Sequence, residues 1–370
     1  MKSTFIIPGI FITISLLLIP IIVQAYETNC QDHPAYQIPS NCTTFEQPIA
    51  ERDFSTVSLP GNAPDPSLSQ LPYYYLRVTR ADAPLFTSLE AAIAGEQVYR
   101  TLETGFDYVT YIDYADVDGK RYYMIAPGIW MQKTGLSPIA TPTFQSLEFW
   151  ATPQNDFGWV LFNVESKKNP GLREEDYTGQ FYNRYEVLQI YEVREASGLE
   201  WYLIGPDEWI EGRQIARVSP NTTPPEGVAG ERWIDVNLKE QILTIYDESE
   251  LVFAALVSTG VPGAWTQPGI FQIYLSKESE TMSGAFTADR SDYYYLEDVP
   301  WTMYFDQSRA LHGTYWHNGF GVPRSRGCVN LSPGDAQWSF NWANEGDWIY
   351  IWDPSGETPA DPDLYTSGGA

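Results

Sequence analysis

One pattern occurs twice in this chain, and it limits the fold more than any other feature. The stretch FDYVTYIDYADVDGKRYYMIAPGIWMQKTGL (106–136) aligns with YEVLQIYEVREASGLEWYLIGPDEWIEGRQI (185–215). Both alternate apolar and polar residues with a period of two, which sends successive side chains to opposite faces of an extended strand. Both turn at a two-residue signal, Asp118-Gly119 or Ser197-Gly198. An aromatic pair follows, Tyr122-Tyr123 or Trp201-Tyr202, and then a proline and a tryptophan, Pro127 and Trp130 or Pro206 and Trp209. A helix would scatter this alternation around its surface, so the pattern predicts small antiparallel β units. The 28 Gly, 27 Pro and many aromatic residues agree with short strands joined by turns. The expected fold class is mainly β.

The remaining chain divides around these repeats. Residues 1–25, MKSTFIIPGIFITISLLLIPIIVQA, hold one Lys, an apolar run and small residues at 23 and 25. This reads as a signal peptide, or as an N-terminal membrane anchor if it is retained. Both readings place the protein outside the plasma membrane: secreted, periplasmic or in the cell wall. Residues 26–70 read as a loose, polar lead-in, 71–140 and 141–218 as the two β repeats, and 219–230 as a linker. From residue 231 to 353 the alternation sharpens into one larger β domain, and 354–370 reads as a disordered tail.

With 22 Lys+Arg against 48 Asp+Glu, the net charge is −26. A phosphate backbone would be repelled, which argues against nucleic acid as a partner. An oxidising compartment also governs the cysteines. Cys30 and Cys42 lie in one short polar segment and are expected to pair as a disulfide. Cys328 is then an unpaired thiol, either a buried hydrophobe or a working group.

Its surroundings favour the second reading. HGTYWHNGFGVPRSRGCVNLS (312–332) contains Cys328 and two of the chain's three His. A thiol attacks carbonyl carbon well as thiolate, and a nearby imidazole can take the proton and return it to a leaving amine. His312 precedes Cys328 by sixteen residues across a Gly- and Pro-containing loop that can bring both to one cleft. Gly327 permits a tight turn, and the amides of Gly327 and Cys328 are candidates for holding an oxyanion. Papain-like enzymes place Cys before His, but here no His follows Cys328. Of the two His, 312 ends an alternating strand pattern, whereas His317 sits between aromatics and an Asn-Gly turn and is better placed to pack. A metal site of His312, His317 and Cys328 lacks a further ligand, so neither metal nor cofactor is expected.

The segment resembles the catalytic domain of the L,D-transpeptidase (YkuD-like) family. His312-Gly313-Thr314 and Ser325-Arg326-Gly327-Cys328-Val329-Asn330 match the family's His-Gly and Ser/Thr-His-Gly-Cys-apolar-Asn/Arg elements, and TQPGIF (266–271) resembles its Thr-Pro-x-Gly-x-Phe segment. Arg326 departs from the more common His and would add a cation that lowers the thiol pKa. The upstream repeats resemble bacterial SH3-like modules. The resemblance implies two SH3-like modules followed by a β-sandwich-like domain acting on peptidoglycan stem peptides. It implies Cys328 as nucleophile, His312 as proton donor and acceptor, and the Gly313 carbonyl as the group orienting the imidazole. Ser325, Arg326, Gly327 and Asn330 would shape the site, with Tyr304, Thr314 and His317 as lesser cleft candidates. An L,D-carboxypeptidase-type hydrolase and an inactive wall-binding protein stay open beside transpeptidation.

The cysteine reading has a direct check. Thiol counting on the denatured, unreduced exported protein should find one free thiol, with the Cys30–Cys42 loop contributing about 2–4 kcal/mol at most. Finding three would refute the pairing.

Overall fold

The computed structural model describes residue 54 and residues 58–365, apart from 103–104, 286 and 288. The signal or anchor segment and Cys30 and Cys42 lie outside the described residues. The fold is mainly β.

The alternation read from the sequence becomes two copies of one eight-strand plan. The first runs through Tyr74–Val78, Pro84–Phe86, Val98–Thr101, Phe106–Tyr111, Asp113–Val117, Lys120–Ala126, Ile129–Gln132 and Leu136–Pro138. The second runs through Asp156–Val160, Val164–Lys167, Tyr177–Tyr182, Val187–Ile190, Glu192–Ala196, Leu199–Gly205, Glu208–Glu211 and Ile215–Val218. In each copy the first strand pairs with the fourth and the eighth. The others form a five-stranded sheet in the order third, second, seventh, sixth, fifth. The two-residue signals take left-handed backbone at both positions, with φ of 49° and 75° at Asp118-Gly119 and 57° and 74° at Ser197-Gly198. This is the geometry whose twist suits a tight hairpin. Trp201, Leu203 and Trp209 pack together in the second copy, and Leu76, Val109, Tyr123 and Met131 in the first.

The C-terminal region is a sandwich of two sheets. One takes the order Gly61–Asn62, Leu147–Phe149, Glu250–Leu256, Ile242–Asp247, Trp233–Asn237, Trp348–Trp352, Gly269–Gln272. Its Ile234, Val236, Leu243, Ile245 and Phe253 meet Met303, Phe305, Leu311, Val329 and Leu331 of the other sheet in one core. That second sheet runs Val329–Leu331, Arg309–Gly313, Tyr294–Asp306 and then continues into the first repeat through Phe106–Tyr111. The join is a parallel pairing of Tyr294 with Phe106 and of Leu296 with Tyr108. The helix Pro333–Trp342 caps the sandwich, with the Ser332 hydroxyl accepting from the Asp335 amide and a proline in the first turn.

Three sequence expectations need correction. The lead-in is not loose over its described part: Gly61–Asn62 pairs with Phe149 and Glu148, and Ser69 is buried. Gly61 allows this because a Cβ there would lie 2.6 Å from the Glu148 carbonyl oxygen. Residues 147–149, assigned by sequence to the second repeat, instead extend the sandwich sheet. The tail read as disordered is packed as far as Tyr365. Its buried ring lies beside Arg309, and its carbonyl accepts from Arg309 Nη2 at 3.0 Å.

Asp335 ties the inter-repeat segment to the sandwich. It is fully buried, and it accepts from the Ser146 amide and from the Ser146 hydroxyl, both at 2.8 Å. Burial raises its pKa to about 7 against these hydrogen bonds. A folded-state pKa above the unfolded one means stability present below about pH 4 and lost as pH rises through about 7. Asp335→Asn should flatten this part of the melting temperature against pH curve. Asp335→Ala, which strands the Ser146 donors, should destabilise by about 1–3 kcal/mol. An unchanged slope in Asp335→Asn would show that the carboxyl does not carry this dependence.

Candidate active site

Cys328 lies at the end of a turn that its own residues hold shut. The Ser325 hydroxyl donates to the Cys328 carbonyl at 2.5 Å and accepts from the Gly327 amide at 3.1 Å. Thr266, from the TQPGIF segment, accepts from the Gly260 amide and donates to the Gly327 carbonyl, both at 2.9 Å. Gly327 has φ of +118°, and a Cβ there would lie 3.1 Å from Arg309 Nε, so both backbone and space select glycine. The neighbouring strand Val329–Leu331 pairs in parallel with Arg309–Gly313, placing His312 opposite Asn330.

His312 is 2% exposed, and its Nδ1 lies 3.1 Å from the Gly313 carbonyl oxygen. A carbonyl can only accept, so Nδ1 carries the hydrogen and Nε2 keeps its lone pair. Burial lowers its pKa to about 4, outweighing the Gly313 bond. The imidazole is neutral at pH 7. The Cys328 sulfur is partly exposed at the cleft yet closely surrounded, and desolvation raises its pKa despite the Ala310 amide and the Arg309 charge. The resting pair is thiol and neutral imidazole, because burial acts on both in the uncharged direction.

His317 has a different place. The Gly319 amide donates to its Nδ1 at 3.2 Å, so Nε2 carries the hydrogen. The Asn330 side-chain amide sits 3.1 Å from Nε2 and must present its oxygen there. Both ring nitrogens are engaged, and burial, with Arg324 and His312 nearby, lowers the pKa to about 3.

His312, His317, Ser325, Arg326, Cys328 and Asn330 all line one cleft of about 680 Å³. Tyr304 instead lines a second depression of about 350 Å³, which shares Met282, Tyr294 and Cys328 with the first. Thr314 is fully buried and lines neither. The Gly327 amide is engaged by Ser325 and is not free to hold an oxyanion, contrary to the sequence reading. Arg326 does not act as the cation on the thiol: it pairs with Asp292 at 3.1 Å and donates to the Asp292 carbonyl at 2.8 Å. The cation opposing the raised thiol pKa is Arg309, 2% exposed and held by Asp306 and the Tyr365 carbonyl. Nothing in its local sequence marked Arg309 as the cation beside the thiol: Asp306 is a near neighbour, but the Tyr365 carbonyl comes from the distant tail. The same holds for Arg77, Phe106 and Tyr108 of the first repeat, which also line the main cleft.

Residues 231–351 match the family model described as YkuD, the L,D-transpeptidase catalytic domain. The chain carries a YkuD domain. Solved structures similar to it include an L,D-transpeptidase from Stackebrandtia nassauensis, 24% identical over 36% of this chain and 60% of that one, with a TM-score of 0.28. Another is an L,D-transpeptidase from Mycobacterium smegmatis, 18% identical over 46% and 75%, with a TM-score of 0.32. A third is the catalytic domain of an E. faecium L,D-transpeptidase, 23% identical over 33% and 96%, with a TM-score of 0.30. No curated protein matches it. In the YkuD domain, the sandwich core and the Thr266 and Ser325 bonds set where the Cys328 turn lies.

Gly327→Ala tests that turn. Left-handed backbone and the Arg309 contact should cost about 1–3 kcal/mol, seen as a lower melting temperature together with slower alkylation of Cys328. Wild-type values for both would mean that the turn tolerates a side chain.

Proposed function

We propose that the protein is an exported L,D-transpeptidase of peptidoglycan, with Cys328 as nucleophile and His312 as proton carrier. The observation that supports this most directly is one cleft shared by Cys328 and a buried imidazole whose Nδ1 is fixed on the Gly313 carbonyl. The Gly313 carbonyl does the orienting work that a carboxylate performs in other triads, without adding a charge.

In this reading the Cys328 sulfur attacks the carbonyl between the third residue and the terminal D-Ala of a stem tetrapeptide. The thiol proton passes to His312 Nε2 as the S–C bond forms. The imidazolium then returns that proton to the D-Ala nitrogen, the C–N bond breaks, and a thioester remains on Cys328. An amine from a neighbouring stem attacks the thioester, gives a proton through Nε2 to the departing sulfur, and the cross-link is complete. Because both groups rest uncharged, proton transfer accompanies attack rather than preceding it. With the Gly327 amide engaged, the Cys328 amide is the first candidate for oxyanion support. The N-terminal segment, read as signal or anchor, supports placement outside the plasma membrane, where stem peptides lie. The repeats, SH3-like in pattern, belong to the same assembly on the wall.

The test begins with carbapenem acylation read as a mass shift on Cys328. Cys328→Ala should lose it. His312→Gln should slow it about a hundredfold, and His317→Gln far less. The acid limb of the wild-type rate should fall near pH 4, where His312 becomes protonated, rather than near 6.5. Purified protein added to wall muropeptides should then yield cross-linked dimers. Trimmed monomers would make it a hydrolase, and no acylation of the wild type would leave a wall-binding protein.

A further inference from the structure

The main cleft is not built by the YkuD domain alone. Arg77, Phe106 and Tyr108 belong to the first repeat and line the same cavity as His312 and Cys328. This wall is fixed rather than leaning. Phe106 and Tyr108 are in register with Tyr294 and Leu296 in one continuous sheet. The Tyr75 hydroxyl donates to the Asp298 carbonyl at 2.9 Å, and the Thr110 amide donates to Glu297 at 2.7 Å. Tyr75 stacks on Tyr315 with ring centroids 3.7 Å apart, and both share a core with Tyr108, Leu296 and Val299.

The charge of this cavity is opposite to that of the chain. In a protein of net charge −26, the cleft is lined by three arginines, Arg77, Arg324 and Arg326, and by no Asp or Glu. Arg326 is matched by Asp292. Among the described residues, Arg77 and Arg324 have no carboxylate in ion-pair range. Arg324 Nε donates to the Gly319 carbonyl, and both side chains are exposed. Their charges reach into the site, acting on the Tyr108 hydroxyl and on His317. Two cations without carboxylate partners in a concave cavity, flanked by the half-exposed Phe106 ring, suit a ligand with a carboxylate and apolar side chains.

We propose that the first repeat is a substrate-binding part of the active site, in which Arg77 together with Arg324 binds a carboxylate of the peptide presented to Cys328. The identification of that peptide rests on the function proposed above; the anion preference of the cleft does not. The repeat therefore sets specificity at the cleft, rather than only holding the domain at a distance from something else.

The test uses two small probes of Cys328 in the full-length protein: anionic iodoacetate and neutral iodoacetamide. Modification is read by mass spectrometry on the Cys328 peptide at low ionic strength. The expected result is that Arg77→Gln lowers the iodoacetate rate about threefold to tenfold, leaves the iodoacetamide rate unchanged, and that salt erases the difference. Arg77→Glu should lower the iodoacetate rate further. Arg80→Gln, a change to another exposed arginine of the same repeat that does not line the cleft, should alter neither rate. Equal effects on both reagents, or none on iodoacetate, would overturn the proposal. A second arm compares a stem tetrapeptide with free carboxyls and its carboxyl-amidated form. Arg77→Gln should raise KM for the first toward that of the second while kcat changes little. If wild-type protein turns over neither peptide, the transpeptidase reading fails, and the alkylation ratio still decides whether the cleft selects anions.

Discussion

The parallel pairing of Phe106–Tyr108 with Tyr294–Leu296 is the contact on which the arrangement of this molecule depends. It turns a separate β module into a continuation of a sandwich sheet. Parallel neighbours need a long connection, here nearly two hundred residues, so the contact carries a large chain-closure cost. The side chains around it offset that cost. Tyr75, Tyr108, Leu296, Val299 and Tyr315 are all buried at the seam, and the polar Thr110 finds Glu297 and Asp298. The second repeat follows the same strand plan but its fourth strand, Val187–Ile190, ends a three-stranded sheet. One of two equivalent edges was extended and the other was not, and only the extended one reaches the cleft.

Within the cleft, burial decides protonation more than charge does. His312 and Cys328 are pushed toward their neutral forms by the same loss of water, and Arg309 and the Ala310 amide only moderate the effect on the thiol. A thiolate–imidazolium pair would need two charges sustained in this site at rest, with the desolvation cost that implies. A neutral pair avoids this, and in the proposed mechanism charge forms only when a substrate carbonyl is there to share it. The Gly313 carbonyl fits that logic, since a dipole can fix the Nδ1 tautomer without stabilising the resting imidazolium as a carboxylate would.

Much of this could be read from the sequence, and the boundary of what could is physical. Period-two alternation and the Asp118-Gly119 and Ser197-Gly198 turns are local, so the repeats were legible strand by strand. The Cys328 motif was legible for the same reason: Ser325, Gly327 and Cys328 interact within three residues of one another. What failed was non-local. Arg326 looked like the thiol's cation because it is adjacent in sequence, whereas Asp292 holds it and Arg309 takes that place. Thr314, next to the His-Gly pair, is buried and lines neither cavity. Composition could not reveal that Tyr365 docks the tail, nor that Arg77 of the first repeat lines the cleft, because neither contact has a periodic or short-range signal.

The excess of acid over the whole chain and the excess of arginine in the cleft are compatible because they act over different distances. Charges on the outer surface are screened within about 8 Å at physiological ionic strength. An approaching carboxylate is therefore influenced mainly by the groups lining the cavity it enters. There it meets Arg77 and Arg324, with no Asp or Glu among the lining residues, between low-dielectric walls that focus the local field. The broad negative charge raises a long-range barrier to anions, the exposed arginines of the cleft attract over a shorter range, and salt screens both. Contacts with an anionic ligand would thus be concentrated at the cavity beside the thiol.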